Sequence, residues 1–281
     1  MDVFLDPHPE WITIGGPDHL VYVSGLVGLA TLLLLGRSWV RDHAGLMRGV
    51  LVVVLLVQQA TLYSFYAATG WDHAESLPLH ISRISALLSL VYLLTVHPKV
   101  MDVLFFFGLW AWASFVYPQN IQPVDNILGW SFFTNHVITL LMPVLAWVTT
   151  DWRPTLEGLR RALGWFAVYV AVAVVTNALT GGNYFYQREK PLLPGLGQPW
   201  YLLLSVAATA VLFLLGYAVA RLVHVVQRRQ AGPGQDGAYD VSADSASGAL
   251  PRVDPGHRGP SGGGPGPAAG ARAVRRQRRD R

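Results

Sequence analysis

The chain has 281 residues, 52% of them hydrophobic and only 14% charged, with ten Trp and a net charge of +4. A soluble domain carries about a quarter charged residues, so this balance excludes an ordinary soluble protein and points to a membrane. The absence of cysteine removes disulfides, thiolate metal sites and a cysteine nucleophile. The small basic excess belongs to loops and tail and makes no case for nucleic-acid binding.

Residues 1–18 are polar, with Pro7, Pro9, Pro17 and the pair Gly15-Gly16, and read as an extracytoplasmic segment with Trp11 as an interfacial anchor. Asp2, Asp6, Glu10 and Asp18 without any Lys or Arg argue against a cleavable secretory signal, which needs a positive start. Seven apolar runs follow, at roughly 20–36, 47–68, 77–96, 100–117, 130–150, 162–180 and 200–220. Each approaches the ~20 residues that cross a bilayer at ~1.5 Å per residue. The pattern predicts an all-α, polytopic membrane helix bundle over 19–226, with about seven transmembrane helices and six as the alternative.

Lys and Arg bias sets the orientation. With seven spans, one set of loops holds Arg37, Arg41, Arg48, Lys99, Arg153, Arg160, Arg161, Arg221, Arg228 and Arg229, while the opposite set holds only Arg188 and Lys190. The N-terminus is therefore expected outside and the C-terminus cytoplasmic. Residues 227–281 turn to Gly, Pro, Ser and Ala and end in an Arg-rich tip, a composition that predicts a disordered cytoplasmic tail. Its Arg cluster suits anionic inner-leaflet lipid or simple solubility. No internal repeat is visible, and the scattered histidines with no His-x3-His or carboxylate cluster predict no metal site.

The third run opens Leu77-Pro78-Leu79-His80-Ile81-Ser82-Arg83. A histidine, a hydroxyl and a guanidinium at the mouth of a membrane helix are costly there and mark a functional candidate. Counted from Leu77 and Ser131, where the third and fifth helices are expected to enter from the outside, Ser82 and His136 both lie five residues deep. That matched depth fits a nucleophile and its base. Ser82, Ser85 and Ser89 share one helical stripe, and His80, two residues from Ser82, faces away from it. Arg83 offers a planar fork for phosphate or carboxylate. Against these stand plain structural readings: small hydroxyl residues as packing between membrane helices, His136 bonded to a backbone carbonyl, and Arg83 reaching to the interface. A second polar cluster ends the sixth run: Asn177, then Thr180-Gly181-Gly182-Asn183-Tyr184, with Arg188 and Lys190 beyond. Glycines there end the helix and allow close backbone approach.

Leu77-Pro78-Leu79-His80-Ile81-Ser82, Phe132-Phe133-Thr134-Asn135-His136, Trp152-Arg153-Pro154-Thr155, Leu179-Thr180-Gly181-Gly182-Asn183-Tyr184 with Lys190-Pro191, and Pro199-Trp200-Tyr201 occur in that order. In these motifs the chain resembles the YwaF-type bacterial integral membrane proteins, which are related to transmembrane protein 164 of animals. The resemblance runs from about residue 19 to 222. It implies a multi-pass cell-membrane protein with acyltransferase or acyl-hydrolase activity on phospholipid acyl esters, with membrane phospholipids as partners and no cofactor. Carried over, Ser82 stands at the nucleophile position, where the family usually has cysteine, and His136 is the assisting histidine, oriented by Asn135, Asp125 or Asn183. His80, Arg83, Asn183, Tyr184 and Arg188 would then bind substrate. The alternative is a non-catalytic protein that binds lipid or an anionic solute in the same pocket.

Overall fold

The computed structural model of the protein describes residues 3–6 and 10–231. The chain divides into two units, Met1–Gln230 and Ala231–Arg281. The first holds the helical bundle. The second, with the tail expected to be disordered, lies outside the described residues except for Ala231, which closes the last helix.

Eight α-helices occur among the described residues: α1 (Pro17–Leu35), α2 (Arg37–Asp42), α3 (Ala44–Thr69), α4 (Ile81–Thr95), α5 (Pro98–Val116), α6 (Ile127–Thr150), α7 (Leu156–Thr180) and α8 (Trp200–Ala231). No strand occurs among the described residues. Six of the helices, α1, α3, α5, α6, α7 and α8, are long and apolar enough to cross a membrane, and α4 is apolar but has only 15 residues. The fold is thus the expected all-α membrane bundle.

Local chemistry explains the boundaries. Pro17 and Pro98 sit in the first turns of α1 and α5, where a missing N–H costs nothing. Asn126 caps α6 by accepting from Leu128 N at 2.9 Å, and Thr155 caps α7 by accepting from Gly158 N at 2.9 Å. The third apolar run becomes helical only at Ile81, four residues later than its hydropathy implies. Pro78 disfavours helical backbone at Leu77, and His80 takes the extended N-cap conformation (φ −66°, ψ 137°).

Helices α4, α5 and α6 pack mutually at the centre, with α3 against α4 and α6 and α7 against α5. One buried cluster joins Ala86, Tyr92 and Leu93 of α4, Met101 and Leu104 of α5, and Met142, Leu145 and Ala146 of α6. A second joins Phe106 and Phe107 of α5, Phe166 and Tyr169 of α7 and Phe213 of α8. Leu32, Val57 and Leu222, on α1, α3 and α8, point outward and are exposed, as lipid-facing residues should be. Between helices in lipid, close packing replaces the hydrophobic drive. A Cβ on Gly25 would come within 2.6 Å of the tip of the Phe133 ring, so a larger residue there would have to push that ring of α6 aside.

The end of the bundle bearing the 70–80, 117–126 and 181–199 connections is the one that the Lys and Arg bias assigns to the outside, and is called the outer end. At the opposite end, buried Asp102 of α5 accepts from Arg161 Nη1 of α7 and from Trp152 Nε1 at 3.2 Å. Arg161 also pairs with Glu157 at 2.5 Å. This cluster ties α5, α7 and the end of α6 together.

Candidate functional site

The 70–80 connection folds back around one buried guanidinium. Arg83, 7% exposed in the first turn of α4, donates from Nη1 to the carbonyls of Glu75 (2.5 Å) and Leu77 (2.9 Å). Its Nη2 donates to Tyr66 Oη of α3 at 2.5 Å and to Glu75 Oε1 at 3.3 Å, and its Cζ lies 5.0 Å from the Tyr66 ring centre. A charge this deep is tolerable only when paired and hydrogen-bonded. The donor fork expected to clamp phosphate is instead spent on the loop that covers it. His80 Nε2 stands 3.2 Å from Glu75 Oε1, in ion-pair reach but outside hydrogen-bond alignment. Burial pushes the Glu75 carboxyl up, but contact with His80 and the charge of Arg83 outweigh it and hold the group below its ordinary value.

The 177–190 segment docks onto this loop. Gly181 ends α7 in the left-handed conformation (φ 78°), and the chain turns back on itself. Asn177 Nδ2 donates to Tyr184 O and Asn177 Oδ1 accepts from Tyr184 N, both at 2.8 Å. Tyr184, fully buried, donates its hydroxyl to His73 O at 2.8 Å and accepts from Leu77 N at 3.2 Å. Its ring lies 5.0 Å from that of His80, and burial raises the phenol, which keeps it a donor. A Cβ on Gly182 would fall 2.7 Å from Ala74 O, so the two loops meet this closely only across a glycine. Asn183 accepts from Arg188 N and Glu189 N and donates to Glu189 O. The exposed Arg188 donates from Nη2 to Asn177 O at 3.2 Å. His80, Arg83 and Tyr184 thus form one knot, with Asn183 and Arg188 at its edge. Beside that edge a polar cleft of about 250 Å³ is lined by Gln119, Asn120, Asn183, Tyr186, Glu189 and Lys190.

Ser82 is the second residue of α4 and half-buried. Ser85 and Ser89 donate their hydroxyls to the Ile81 and Ser85 carbonyls, each at 2.8 Å, in the usual back-bonding manner. Ser82 Oγ has no hydrogen bond among the described residues. His136 Nδ1 lies 2.8 Å from Phe132 O. A carbonyl only accepts, so in the neutral ring Nδ1 holds the proton and Nε2 keeps its lone pair. No hydrogen bond joins Ser82 to His136. The residue that reaches α4 is Asn135, whose Nδ2 donates to Ser82 O at 3.2 Å. One residue on, the helix has turned ~100°, and the His136 ring packs on Phe132 (4.1 Å) and towards Phe115 of α5 (6.4 Å). Neither Asp125 nor Asn183 bonds to His136.

Tyr66 and Glu75 do as much to shape this end as the residues singled out from sequence, Asn177 among them. Glu75 could have been found as an acid five and eight residues before His80 and Arg83. Asp102, a lone carboxylate inside an apolar run, carried an equally plain signal. No group of three or more His, Asp or Glu that could hold a metal ion occurs among the described residues.

A bundle of this kind, with exposed apolar flanks and polar side chains knotted at one end, is a multi-pass membrane protein. The chain belongs to the TMEM164 family, whose sequence pattern matches residues 14–217. It is 24% identical over 169 residues to an uncharacterized protein of Treponema pallidum (strain Nichols), covering 59% of this chain and 71% of the relative. No solved structure matches the chain.

Proposed function

We propose that the protein handles glycerolipid acyl esters in the outer half of the cell membrane, as an acyltransferase or acyl hydrolase with Ser82 as nucleophile. The observation that carries this reading is the uncommitted, half-buried Ser82 hydroxyl at the mouth of α4, next to the α6 segment that bears Asn135 and His136. Ser82 Oγ attacks the ester carbonyl and His136 Nε2 takes its proton. The same nitrogen returns that proton to the departing lysolipid oxygen, leaving an acyl ester on Ser82. A second lysolipid hydroxyl, or water, then takes the acyl group and restores Ser82. Transfer requires the two side chains to close to about 2.6–3.2 Å when lipid is bound. Arg188, exposed at the same end, holds the headgroup phosphate, with His80, Asn183 and Tyr184 shaping its surroundings. Arg83 serves by holding the 75–77 backbone in place. Two lipids supply donor and acceptor, and no cofactor enters the scheme.

A second reading, lipid or anionic-solute binding without chemistry, draws on the engagement of His136 with Phe132 O and its aromatic neighbours. A serine-acylating activity probe on reconstituted protein, read by intact mass, separates the two. Labelling at Ser82 that disappears in Ser82→Ala and falls at least tenfold in His136→Ala is the expected result. Absence of labelling in folded wild-type protein would overturn the catalytic reading and leave the binding one.

A further inference from the structure

The α4–α5–α6 junction holds buried polar atoms that no protein group answers. Asn135 is 4% exposed and Thr139 3% exposed, yet Asn135 Oδ1 and Thr139 Oγ1 have no hydrogen-bond partner among the described residues. The two residues are one turn apart on α6 and so lie one above the other, about 5–6 Å between Cβ atoms. Asn135 Nδ2 is anchored to Ser82 O of α4, and its Oδ1, on the same carbon, is thereby held at the α4–α6 contact. Thr139 faces α5, where a Cβ on Gly108 would come within 3.0 Å of Thr139 Cγ2. On α4, Ser85, Ala86 and Ser89 are all almost fully buried, and Ala86 lies in the cluster that holds Ile138 and Met142 of α6. Both serine protons are committed to backbone carbonyls, which leaves their oxygens as acceptors only.

The set therefore offers several acceptors, one uncommitted hydroxyl proton on Thr139, small neighbours and no charge. Unanswered amide and hydroxyl groups in a membrane interior are expensive. A ligand that answers this set must donate two hydrogen bonds, accept one and be small. We propose that the junction is a binding site for one buried water molecule, held by Asn135 Oδ1 and Thr139 Oγ1 and completed by a serine oxygen of α4. Such waters make about three hydrogen bonds to otherwise unsatisfied groups. A monovalent cation fits less well, because no carboxylate stands in the set. The inference does not depend on any catalytic role for Ser82.

Two measurements on the full chain in nanodiscs test it. The first is X-ray hydroxyl-radical footprinting, in which a water held beside a side chain is converted in place and oxidises it. Met142, 1% exposed and one turn below Thr139, should be oxidised in wild type despite its burial and protected in Thr139→Val. The second is the melting temperature of Thr139→Val, which keeps the methyl that packs on Gly108. If the hydroxyl binds water, its loss lowers the melting temperature by roughly 2–4 °C. If the hydroxyl is dry and unanswered, its removal raises it. Thr139→Ser, which keeps the hydroxyl, should retain Met142 oxidation. Unoxidised Met142 in wild type, or a Thr139→Val protein as stable as wild type or more so, overturns the proposal. Should Thr139→Val fail to fold, the wild-type footprint decides alone.

Discussion

Asn177→Ala removes both hydrogen bonds that bind the α7 end to the backbone of Tyr184, each 2.8 Å long. Tyr184 is fully buried, so its N–H and C=O are stranded without water. Each stranded group costs about 1–3 kcal/mol, and the pair together about 2–6 kcal/mol. At roughly 2–4 °C per kcal/mol for a bundle of this size, the melting temperature should fall by about 4–24 °C. Tryptophan fluorescence during heating in nanodiscs reads that fall. Hydrogen exchange reads its location: the 71–80 and 181–188 segments should lose protection together, because the Tyr184 hydroxyl bonds both His73 and Leu77. Asn177→Asp keeps the acceptor for Tyr184 N but sets a carboxylate against Tyr184 O, and should do no better than alanine. A drop under about 1 °C with unchanged exchange in both segments would refute the view that Asn177 clasps the two loops.

The Glu75 carboxyl is held below its ordinary 4.5 by His80 and Arg83 against the opposing effect of burial. A depressed folded value contributes stability that is complete above the unfolded one and disappears as pH falls through the folded one. Below pH 4.5, wild type should therefore lose melting temperature faster than Glu75→Gln; parallel curves would count against the ion pair. In Gly182→Ala the new Cβ, 2.7 Å from Ala74 O and 2.9 Å from the Tyr184 ring, should force the loops apart at about 1–3 kcal/mol, seen as faster exchange in 71–80. At the other end, Asp102→Ala strands Arg161, whose side chain is 20% exposed, so the loss should sit at or below the lower end of the ~3–5 kcal/mol for a broken buried pair. The double variant Asp102→Leu/Arg161→Met should recover most of it in a double-mutant cycle.

The helices were legible because membrane spans are written as long apolar runs, and the Pro and Asn or Thr starts of α1, α5, α6 and α7 are local signals. The start of α4 was not, since Leu77, Leu79 and Ile81 look like one apolar run. What delays the helix is Pro78, together with the hydrogen bond that Leu77 N donates to a tyrosine over a hundred residues away. The polar residues at the outer end were found from sequence, but their partners were not. The fork of Arg83 suggested a phosphate, whereas half of the groups that satisfy it are carbonyls of the adjacent loop, which carry no signature in side-chain identity. For Ser82 and His136 the shared level was readable, although Ser82 is the second residue of its helix and His136 the tenth of its own rather than each five deep. Rotation was not readable, since Asn135 faces α4 and His136 turns towards α5.

The brevity of α4 has a consequence for the lipid around it. Fifteen residues span about 22 Å, against a hydrocarbon core of ~30 Å. Leu87, Val91 and Leu94 still face outward, so this short cylinder is in contact with acyl chains. Hydrophobic mismatch draws headgroups down beside such a helix, creating a local dimple in the outer leaflet. On the acyl-ester reading proposed above, the glycerol esters of the dimpled lipids would descend to the first turn of α4, where Ser82 lies, and a lipid could reach the hydroxyl without leaving the leaflet. Bilayer thickness becomes a determinant of the protein's behaviour, and vesicles made from shorter-chain phospholipids should hold this bundle more stably than those made from longer ones.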